Sequence, residues 1–463
     1  MSSLITSLYT GASGIYVNQT AVQVTGNNIA NLSTTGYSRQ TVNIASATQL
    51  EQSGLSLGTG STVDHIDRAG DTFVTKQLIA QSAVYGEYDA ASTPLSDVEQ
   101  ILSIGDSSLS SDIDSFFDAW EQLSANPSGV TEREGVLGAA ENLANHFQQI
   151  DQQLTTVIDS IDSMIGSAIP SLNENLTQIA KLNNSIMQTE VSGGDANTLK
   201  DQRDLLVQEV SEITGASAYI DDKGMTCLQL KNGLPLVTGN VASTLITTQV
   251  NGQTQVSLVN GQTSFSLDVN DLGGSLHGLL TVRDENIPEI RDDINRLAYE
   301  IATAVNTLHV SGVDQNGNSG QVIFNLTAPA DPTAPVWDGA AASISLNFND
   351  TSMIAAGTSS LSGDNSLTLD MVAIRDAAAI NGATYSEEYG RIVANVGLLV
   401  SSNEQKLSSS LELLNEISTK RDSISGVSSD EEMVLLIQYQ AGYEAASHYL
   451  SVVQEMLDTL LQL

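Results

Sequence analysis

The sequence predicts a mainly α-helical, elongated, multidomain chain with an antiparallel β domain inserted in its middle. Three observations lead to this fold class. Both ends of the chain carry heptad-like apolar spacing, and a third such pattern runs through residues 154–186. After residue 215, strand-length segments alternate with Asn-Gly dipeptides, which are typical of β-hairpins.

The N-terminal pattern predicts a helix that needs a partner. Apolar residues recur every seven positions at Leu8, Ile15, Val22 and Ile29. A second line at coiled-coil spacing is mostly small or polar. Because such a helix would bury little on its own, we expect it to be marginal in water without another helix against it.

The C-terminal pattern supplies a candidate partner. Its members alternate spacings of four and three: Leu435, Tyr439, Gly442, Ala446, Tyr449, Val453, Met456 and Leu460. Ser429, three residues before Glu432, predicts a capping box at the start of this helix. An ordinary helix docked on its own core is one interpretation. A coiled-coil-like domain made by both chain ends is favoured, because both ends carry seams and neither has charged flanking pairs.

The segment between residues 94 and 190 is predicted to be mainly helical. Within it, the pattern over 154–186 predicts a long rod, which Pro170 should kink or split. A further helix is expected from Ala196 to Ile213, and the capping box of Thr384 with Glu387 predicts that helices resume there.

The mid-chain segment 216–275 predicts antiparallel strands joined by tight turns. Asn-Gly stands at residues 232–233, 251–252 and 260–261, and both residues of such a turn are expected to have positive φ. Helix before and after this segment predicts discontinuous domains. They comprise a terminal coiled-coil domain (1–40 and 431–463), an α-helical rod domain (41–215, 276–310 and 376–430) and an outer β-rich domain (216–275 and 311–375).

Composition excludes several classes of function. Lys plus Arg is 17 and Asp plus Glu is 55, so the formal charge is −38, which disfavours nucleic-acid binding. No apolar run is long enough to insert in a membrane, and the N-terminus lacks the pattern of a cleaved signal peptide. The first 50 residues hold one charge, Arg39, which keeps export without a cleaved signal open beside a cytoplasmic location.

No catalytic, cofactor-binding or metal-binding residues are predicted. Residues 54–58 match G-x-S-x-G, but the sequence that follows the serine is a poor start for a helix. Asp314, Asn316 and Asn318 resemble the start of a calcium loop whose later ligands are missing, so a polar turn is expected. The five histidines are scattered, and the single Cys227 is expected in a strand core.

Residues 27–40 read Asn-Asn-Ile-Ala-Asn-Leu-Ser-Thr-Thr-Gly-Tyr-Ser-Arg-Gln. This segment resembles the signature of the axial proteins of the bacterial flagellum, which include rod, hook and hook-associated proteins. We expect a helix to end near Asn31 and Gly36 to make a tight turn with positive φ. Tyr37 and Arg39 would then begin an extended segment and anchor it against neighbours.

Further segments resemble hook-associated protein 1, the FlgK family. They are Phe-Phe-Asp-Ala-Trp at 116–120, Leu-Lys-Asp-Gln-Arg-Asp-Leu-Leu at 199–206, Gly-Gly-Ser-Leu-His-Gly-Leu at 273–279 and Gly-Val-Ser-Ser-Asp-Glu-Glu at 426–432. The resemblance covers nearly the whole chain.

The resemblance implies a structural, non-enzymatic axial protein that forms one ring at the junction of hook and filament. It implies export through the flagellar type III channel without a cleaved signal, to an extracellular position. Implied partners are other copies of the chain, the hook protein, hook-associated protein 3 and transiently the filament cap. A cytoplasmic export chaperone would bind the C-terminal helix at Leu457, Leu460 and Leu461.

The residues expected to serve assembly come from the two seams and the signature. They are Leu8, Ile15, Val22, Ile29, Asn31, Gly36, Tyr37, Arg39, Leu435, Tyr439, Ala446, Tyr449, Val453, Met456 and Leu460. Two alternatives stay open. Another axial protein of hook or rod type would share the signature, and a secreted acidic hydrolase or adhesin is favoured only by residues 54–58 and the β segment.

Overall fold

Long helices carry most of the chain, which confirms the predicted mainly α fold with small antiparallel sheets inserted in its middle. This computed structural model describes residues 2–52, 55–103, 108–250 and 252–461. The helices are α1 (Ser2–Ala30), α2 (Thr72–Ile101), α3 (Leu109–Ala125), α4 (Val130–Val191), α5 (Asn197–Thr214), α6 (Gly274–Thr281), α7 (Ile287–Val310), α8 (Ala340–Ser343), α9 (Ser366–Arg375), α10 (Tyr385–Ser425) and α11 (Ser429–Leu461).

The strands are short. They are β1 (Gln40–Ser46), β2 (Leu50–Gln52), β3 (Leu55–Leu57), β4 (Ser61–Arg68), β5 (Ser217–Ile220), β6 (Thr226–Gln229), β7 (Pro235–Thr238), β8 (Val241–Ala242), β9 (Thr244–Val250), β10 (Gln253–Asn260), β11 (Thr263–Ser266), β12 (Phe324–Asn325) and β13 (Ser345–Leu346). Strand order is β5-β6-β7-β8 in one mid-chain sheet and β11-β10-β9 in the other. Near the N-terminus, β1 pairs with β4.

One continuous hydrophobic core joins the helices to the mid-chain sheets. Its aromatic centre, around Phe116 and Trp120, is fully buried, and the same cluster extends to Leu228 and Val256 in the sheets. None of the described residues of α1 or α11 belongs to this cluster. The two terminal helices pack on each other instead, so the fold separates the chain ends from the core.

The rod predicted from the central pattern is helix α4, and it does not split at Pro170. Helix α4 runs unbroken for 62 residues, or about 93 Å at 1.5 Å per residue. A proline inside a helix costs about 3 kcal/mol through its missing N–H and its clash with the carbonyl four residues earlier. Here Ile165, Ile169 and Leu172 are buried on both sides of Pro170, so packing along α4 offsets the local cost.

The mid-chain turns form where they are expected, with a different geometry. Gly233, Gly252 and Gly261 have positive φ, whereas Asn232 and Asn260 do not. The prediction that both turn residues adopt positive φ was therefore wrong at these two turns. In the turn between β10 and β11, Asn260 is still the last residue of β10 and pairs with Thr263. Gly261 is therefore the first residue of the turn, and Asn260 does not have to adopt a left-handed backbone conformation.

Two segments differ from their predicted structure. Residues 311–375 were expected to be rich in strand, yet they contain the two-residue strands β12 and β13 beside helices α8 and α9. Phe324 and Ile344 are buried in the helical core, and the prolines of this segment cannot donate to a strand ladder. Conversely, β1 and β4, which lie within the predicted helical rod domain, pair as antiparallel strands. The larger grouping into discontinuous domains stays a prediction.

The residues that were considered for catalysis or calcium binding lie in ordinary strands and turns. Ser56 lies on β3, whose hairpin partner is β2 and whose next element is strand β4, so the helix that a nucleophile elbow needs does not follow it. Asp314 Oδ1 accepts hydrogen bonds from the backbone N–H groups of Asn316 and Asn318, which confirms the polar turn. Cys227 is buried on β6. Within the described ranges, no helix is both long and apolar enough to span a bilayer.

Candidate functional site at the paired chain ends

Helices α1 and α11 form an antiparallel pair with small residues at the contact. A β-carbon placed on Gly11 would lie 3.1 Å from Leu450 Cδ1, and one on Gly14 would lie 3.3 Å from Ala446 Cβ. A β-carbon on Gly442 would overlap the Asn18 side chain. Because glycine and alanine leave little side chain between the axes, the two backbones approach closely along this seam.

On α1 the buried line is not the predicted one. Leu8, Ile15, Val22 and Ile29 are only partly buried. Among the residues of α1 whose burial is described, the fully buried ones are mainly small or polar, and they are Gly11, Val17, Ala21, Thr25 and Asn28. The prediction took the apolar line as the centre of the seam. The close helix spacing instead selects small side chains for the centre and leaves the larger ones at its flanks.

On α11 the predicted line holds only in part. Leu435, Tyr439 and Ala446 are partly buried, and Val453 is buried at 3% exposure. Beyond Ala446, the side that faces α1 continues through Leu450, Val453 and Leu457. The other predicted positions are exposed in the single chain, namely Tyr449, Met456 and Leu460, and Leu461 beside them is 79% exposed.

Asn28 is the polar centre of the contact between the chain ends. Its Nδ2 donates to Gln40 O at 2.8 Å and to Glu432 Oε2 at 2.9 Å. Its Oδ1 accepts from the Tyr37 hydroxyl at 2.8 Å and from Gln40 N–H at 3.0 Å. Asn28 is 1% exposed, so an amide that binds four groups holds α1, the turn after it and α11 together.

Arg39 and Glu432 join the N-terminal signature to the C-terminal helix. Arg39 Nε lies 2.7 Å from Glu432 Oε1, and Arg39 N–H donates to Ser425 O at 2.8 Å. Glu432 is 1% exposed. The predicted capping box was wrong, because Ser429 is the first helical residue of α11 and the Glu432 carboxylate turns inward to Arg39 and Asn28.

Arg421 of α10 holds the turn at Gly36 in place. Gly36 has φ of 81°, which confirms the expected tight turn with positive φ. The Arg421 guanidinium donates to Gly36 O at 2.9 Å and to Tyr37 O at 3.2 Å. Asn31, at the end of α1, bonds back to Asn27, so it terminates the helix locally.

A second buried carboxylate ties the same segment to α5. Asp201 Oδ2 accepts from Ser38 N–H at 3.0 Å, and its Oδ1 lies 2.7 Å from Arg68 Nε. Burial raises the pKa of Asp201 above its usual range, with Arg68 and Ser38 opposing the rise. Tyr37 lies between Asp201 and Glu432, and burial together with these two carboxylates raises its pKa to about 12. The hydroxyl therefore stays protonated and donates to Asn28.

We call Asn28, Tyr37, Arg39 and Glu432 the latch. Sequence reasoning picked out Tyr37 and Arg39, missed Asn28 and assigned Glu432 to a capping box instead of a contact with Arg39 and Asn28. The missing signal was within reach, since Asn28 stands in the signature and Glu432 in the 426–432 segment. Tyr37 and Arg39 were expected to contact neighbours, and they are bound within their own chain. The four side chains of the latch bind one another and hold the chain ends together.

Outside the latch, both terminal helices expose large apolar side chains. On α1 these are Ile5, Tyr9 and Tyr16, with Leu32 just after it. On α11 they are Met433, Val434, Ile437, Tyr443, Tyr449, Met456, Leu460 and Leu461. A monomer rarely exposes this many apolar side chains along one pair of helices, so the surface is typical of one that another chain covers.

Comparisons with known proteins point to one family. The family model described as the flagellar hook-associated protein FlgK helical domain matches residues 95–324. Models of the flagellar basal body rod FlgEFG protein C-terminal segment and of the flagella basal body rod protein match residues 420–463 and 8–37. These two matches cover α11 and most of α1.

Curated relatives agree over the full length. Flagellar hook-associated protein 1 of Salmonella typhimurium is 27% identical over all of both chains, and that of Bacillus subtilis is 27% identical over all of this chain and 98% of its own. The Escherichia coli protein of the same name is 32% identical over 71% of this chain and 61% of its own. The solved flagellar hook junction protein FlgK of Burkholderia pseudomallei shares the fold, with a TM-score of 0.69 at 17% identity over 76% of this chain and all of that one.

Proposed function

Because the chain belongs to the flagellar hook-associated protein 1 family, whose members build the hook–filament junction, we propose that the paired helices α1 and α11 are the surface through which copies assemble into the junction ring. The protein is a structural component of the flagellum. The observation that carries the proposal is the set of exposed apolar side chains on these two helices. Each would remove apolar area from water on contact with a neighbour, at roughly 25 cal/mol per Å².

The latch supports this proposal indirectly. Asn28, Tyr37, Arg39 and Glu432 are buried or partly buried within one chain, so they are not a contact surface. Their part in assembly is to hold the terminal helix pair at a set position on the rod domain. A surface that must meet a neighbour with the right spacing needs such support from residues behind it.

The expected partners follow from the position along the axis. The hook protein would lie below the ring and hook-associated protein 3 above it, and the filament cap would pass through transiently. Lateral contacts would be between copies of this chain. The long α4 and the hydrophobic core around it would keep the terminal helices at a constant distance from the outer domains.

Export is the earlier step in this proposal. The protein would leave the cell through the flagellar type III channel without a cleaved signal, and an export chaperone would cover the end of α11 first. Leu460 and Leu461 are 54% and 79% exposed and Leu457 is partly buried, so an apolar groove on a chaperone could take the first two without opening the helix pair. We further propose that the protein is no enzyme, since its family is structural and Ser56 lacks the helix that would follow a nucleophile.

The test uses one exposed position on α11 and a matched position elsewhere. Ile437→Asp places a charge on a side chain that is 67% exposed, and Leu398→Asp does the same at 69% exposure on α10. Both variants should be secreted and show the unfolding midpoint of the parent protein. We expect Ile437→Asp to lose junction rings and filaments in a strain that lacks the parent protein, and Leu398→Asp to support both. Normal filaments with Ile437→Asp would contradict the proposal.

A further inference from the structure

Two stretches of the sequence contain no charged residue over more than thirty positions. One is residues 1–38, which includes α1, and the other is residues 232–267, which includes strands β7 to β11. Every copy of the chain carries a net charge of −38, so copies repel one another wherever charges face. The absence of charge on α1 suits a surface that meets another copy, and the second stretch has the same property.

The sheet β11-β10-β9 has two free edges, and neither carries the usual protection. Exposed sheet edges normally hold charges or proline that prevent pairing with another strand. Strands β9 and β11 hold neither. They expose apolar side chains instead, with Ile246 at 37%, Val250 at 45% and Phe265 at 39%.

Every second residue of β9 directs its backbone N–H and C=O groups toward the free edge of the sheet. Leu245 is the first of these, and Asn173 of α4 satisfies it through two hydrogen bonds of 2.8 Å, one from Leu245 N–H and one to Leu245 O. In the register that pairs Val250 with Gln253, the next residues facing outward are Thr247 and Gln249. The amide of Asn173 thus fills the first position along the edge, as a neighbouring strand would, and leaves the next positions to solvent.

The opposite edge is β11. Its register pairs Asn260 with Thr263 and Leu258 with Phe265, so Ser264 and Ser266 direct their backbone groups outward. All four residues of β11 are exposed. The sheet therefore offers two different free edges on opposite sides, and a head-to-tail ring of identical subunits needs two different complementary surfaces.

We propose that the free edge of β9 in one copy pairs with the β11 edge of the next copy, so that the outer sheets add a lateral contact to the junction ring. This inference rests on the proposed ring. A second copy is the occupant that fits, because an uncharged surface lets chains of net charge −38 approach and because one edge complements the other. The outer domain then stabilises the ring beyond what the terminal helices contribute.

The test is cross-linking between copies in assembled flagella. Cys227 is the single native cysteine, so Cys227→Ser gives a background without thiols. Gln249→Cys and Ser264→Cys together place one thiol on each edge, and a short bis-maleimide would join them between neighbours. We expect a ladder of dimers, trimers and larger multimers from detached hook–filament junctions. Each single-cysteine variant should remain monomeric under the same treatment.

Each other result overturns the inference. Dimers from Gln249→Cys alone would mean that β9 meets β9, which cannot close a head-to-tail ring. No ladder from junctions that carry normal filaments would leave the ring intact and remove the sheet contact. If the double-cysteine protein, which keeps Ile437, formed no rings at all, that result would argue against the ring itself. The last two results separate failure of this inference from failure of the proposed function.

A charge variant gives an independent measurement. Val250→Glu adds a like charge to the β9 edge, and the matched Val336→Glu adds one at a valine that is 60% exposed in the loop before α8. In the double-cysteine background, Val250→Glu should lower the cross-linked fraction roughly tenfold, since the new carboxylate would enter a contact with the uncharged β11, which has no positive partner for it. Val336→Glu should leave it unchanged. Equal yields from the two variants would contradict the edge contact.

Discussion

Glu432 shows how one buried carboxylate decides the position of a whole helix. It is 1% exposed and lies 2.7 Å from Arg39 Nε and 2.9 Å from Asn28 Nδ2. A charge so deeply buried is tolerated only with a partner charge and hydrogen bonds around it. Any other register of α11 on α1 would leave Glu432 and Asn28 unpaired, so the latch selects one register among those that a seam of small residues allows.

Glu432→Gln should therefore weaken the terminal helix pair while the hydrophobic core stays folded. The free energy for opening the pair should fall by about 1–3 kcal/mol, because Arg39 loses its buried counter-charge. Hydrogen exchange of the amides in α1 and α11 measures this opening. Glu431→Gln is the control, since the Glu431 side chain is 66% exposed and its carboxylate lies 3.4 Å from Arg39 Nη1. Equal protection in both variants would argue against the latch.

His309 predicts a pH dependence of the core. Its side chain is fully buried, with Nδ1 against Gln321 O and Nε2 accepting from Ala355 N–H at 2.8 Å. Burial lowers the pKa of His309 below its ordinary 6.5. The unfolded chain then takes up a proton near pH 6.5 while the folded chain does not, so this contribution to stability is complete above that pH and falls as the pH drops below it.

The free energy of unfolding, measured by denaturant between pH 7.5 and 5, should fall by up to about 1.4 kcal/mol per pH unit from this histidine alone. Other groups titrate as well, so the relevant quantity is the difference from His309→Gln, in which this part of the pH dependence should be absent. His448→Gln, on the exposed side of α11, should keep the pH dependence of the parent protein. A His309→Gln profile parallel to that of the parent would contradict the prediction.

At the scale of the elements, the contact of α1 with α11 depends on small residues. Gly442→Ala should destabilise the helix pair, because the added β-carbon overlaps the Asn18 side chain. Gly26→Ala on α1 is the matched change, since no atom lies within 4 Å of the new β-carbon. That variant should gain up to about 1 kcal/mol from helix propensity.

Limited proteolysis of the terminal helices distinguishes the two glycine variants. Cleavage in α1 and α11 should become faster in Gly442→Ala and no faster in Gly26→Ala. Slower cleavage in both would mean that helix propensity outweighs the close approach at Gly442. The proteolysis rates report the open population of the helix pair and not the stability of the hydrophobic core.

Some helices and strands could be predicted from the sequence, and others could not. Heptad spacing was enough to predict α1, α4 and α11, because a long periodic pattern has one compatible structure. The hairpin of β1 with β4 was missed, since its strands alternate only partly between buried and exposed positions. Pro170 was expected to kink or split α4, and the helix is unbroken because buried residues on both sides of Pro170 pack into the core.

At the scale of the molecule, the chain ends form a unit apart from the hydrophobic core. A chain that lacks residues 1–39 and 427–463 should keep the core cluster, which contains no described residue from α1 or α11. We expect it to be secreted poorly, to unfold at the same denaturant midpoint as the parent and to form no rings. Analytical ultracentrifugation and denaturant unfolding measure the last two properties. A trimmed chain that restored filaments would contradict the role of the terminal helices.

The sequence by itself determined the fold class, the family and the presence of a seam at each end, because periodicity, turn dipeptides and the signature at residues 27–40 are local properties of the chain. Only the tertiary structure decided which face of each helix is buried. The apolar line of α1 lies at the flank and Tyr449, Met456 and Leu460 face outward, since burial depends on the distance to the partner helix. The latch likewise joins Asn28 to Glu432 across 404 positions of sequence, and such a pair exists only once both ends have met.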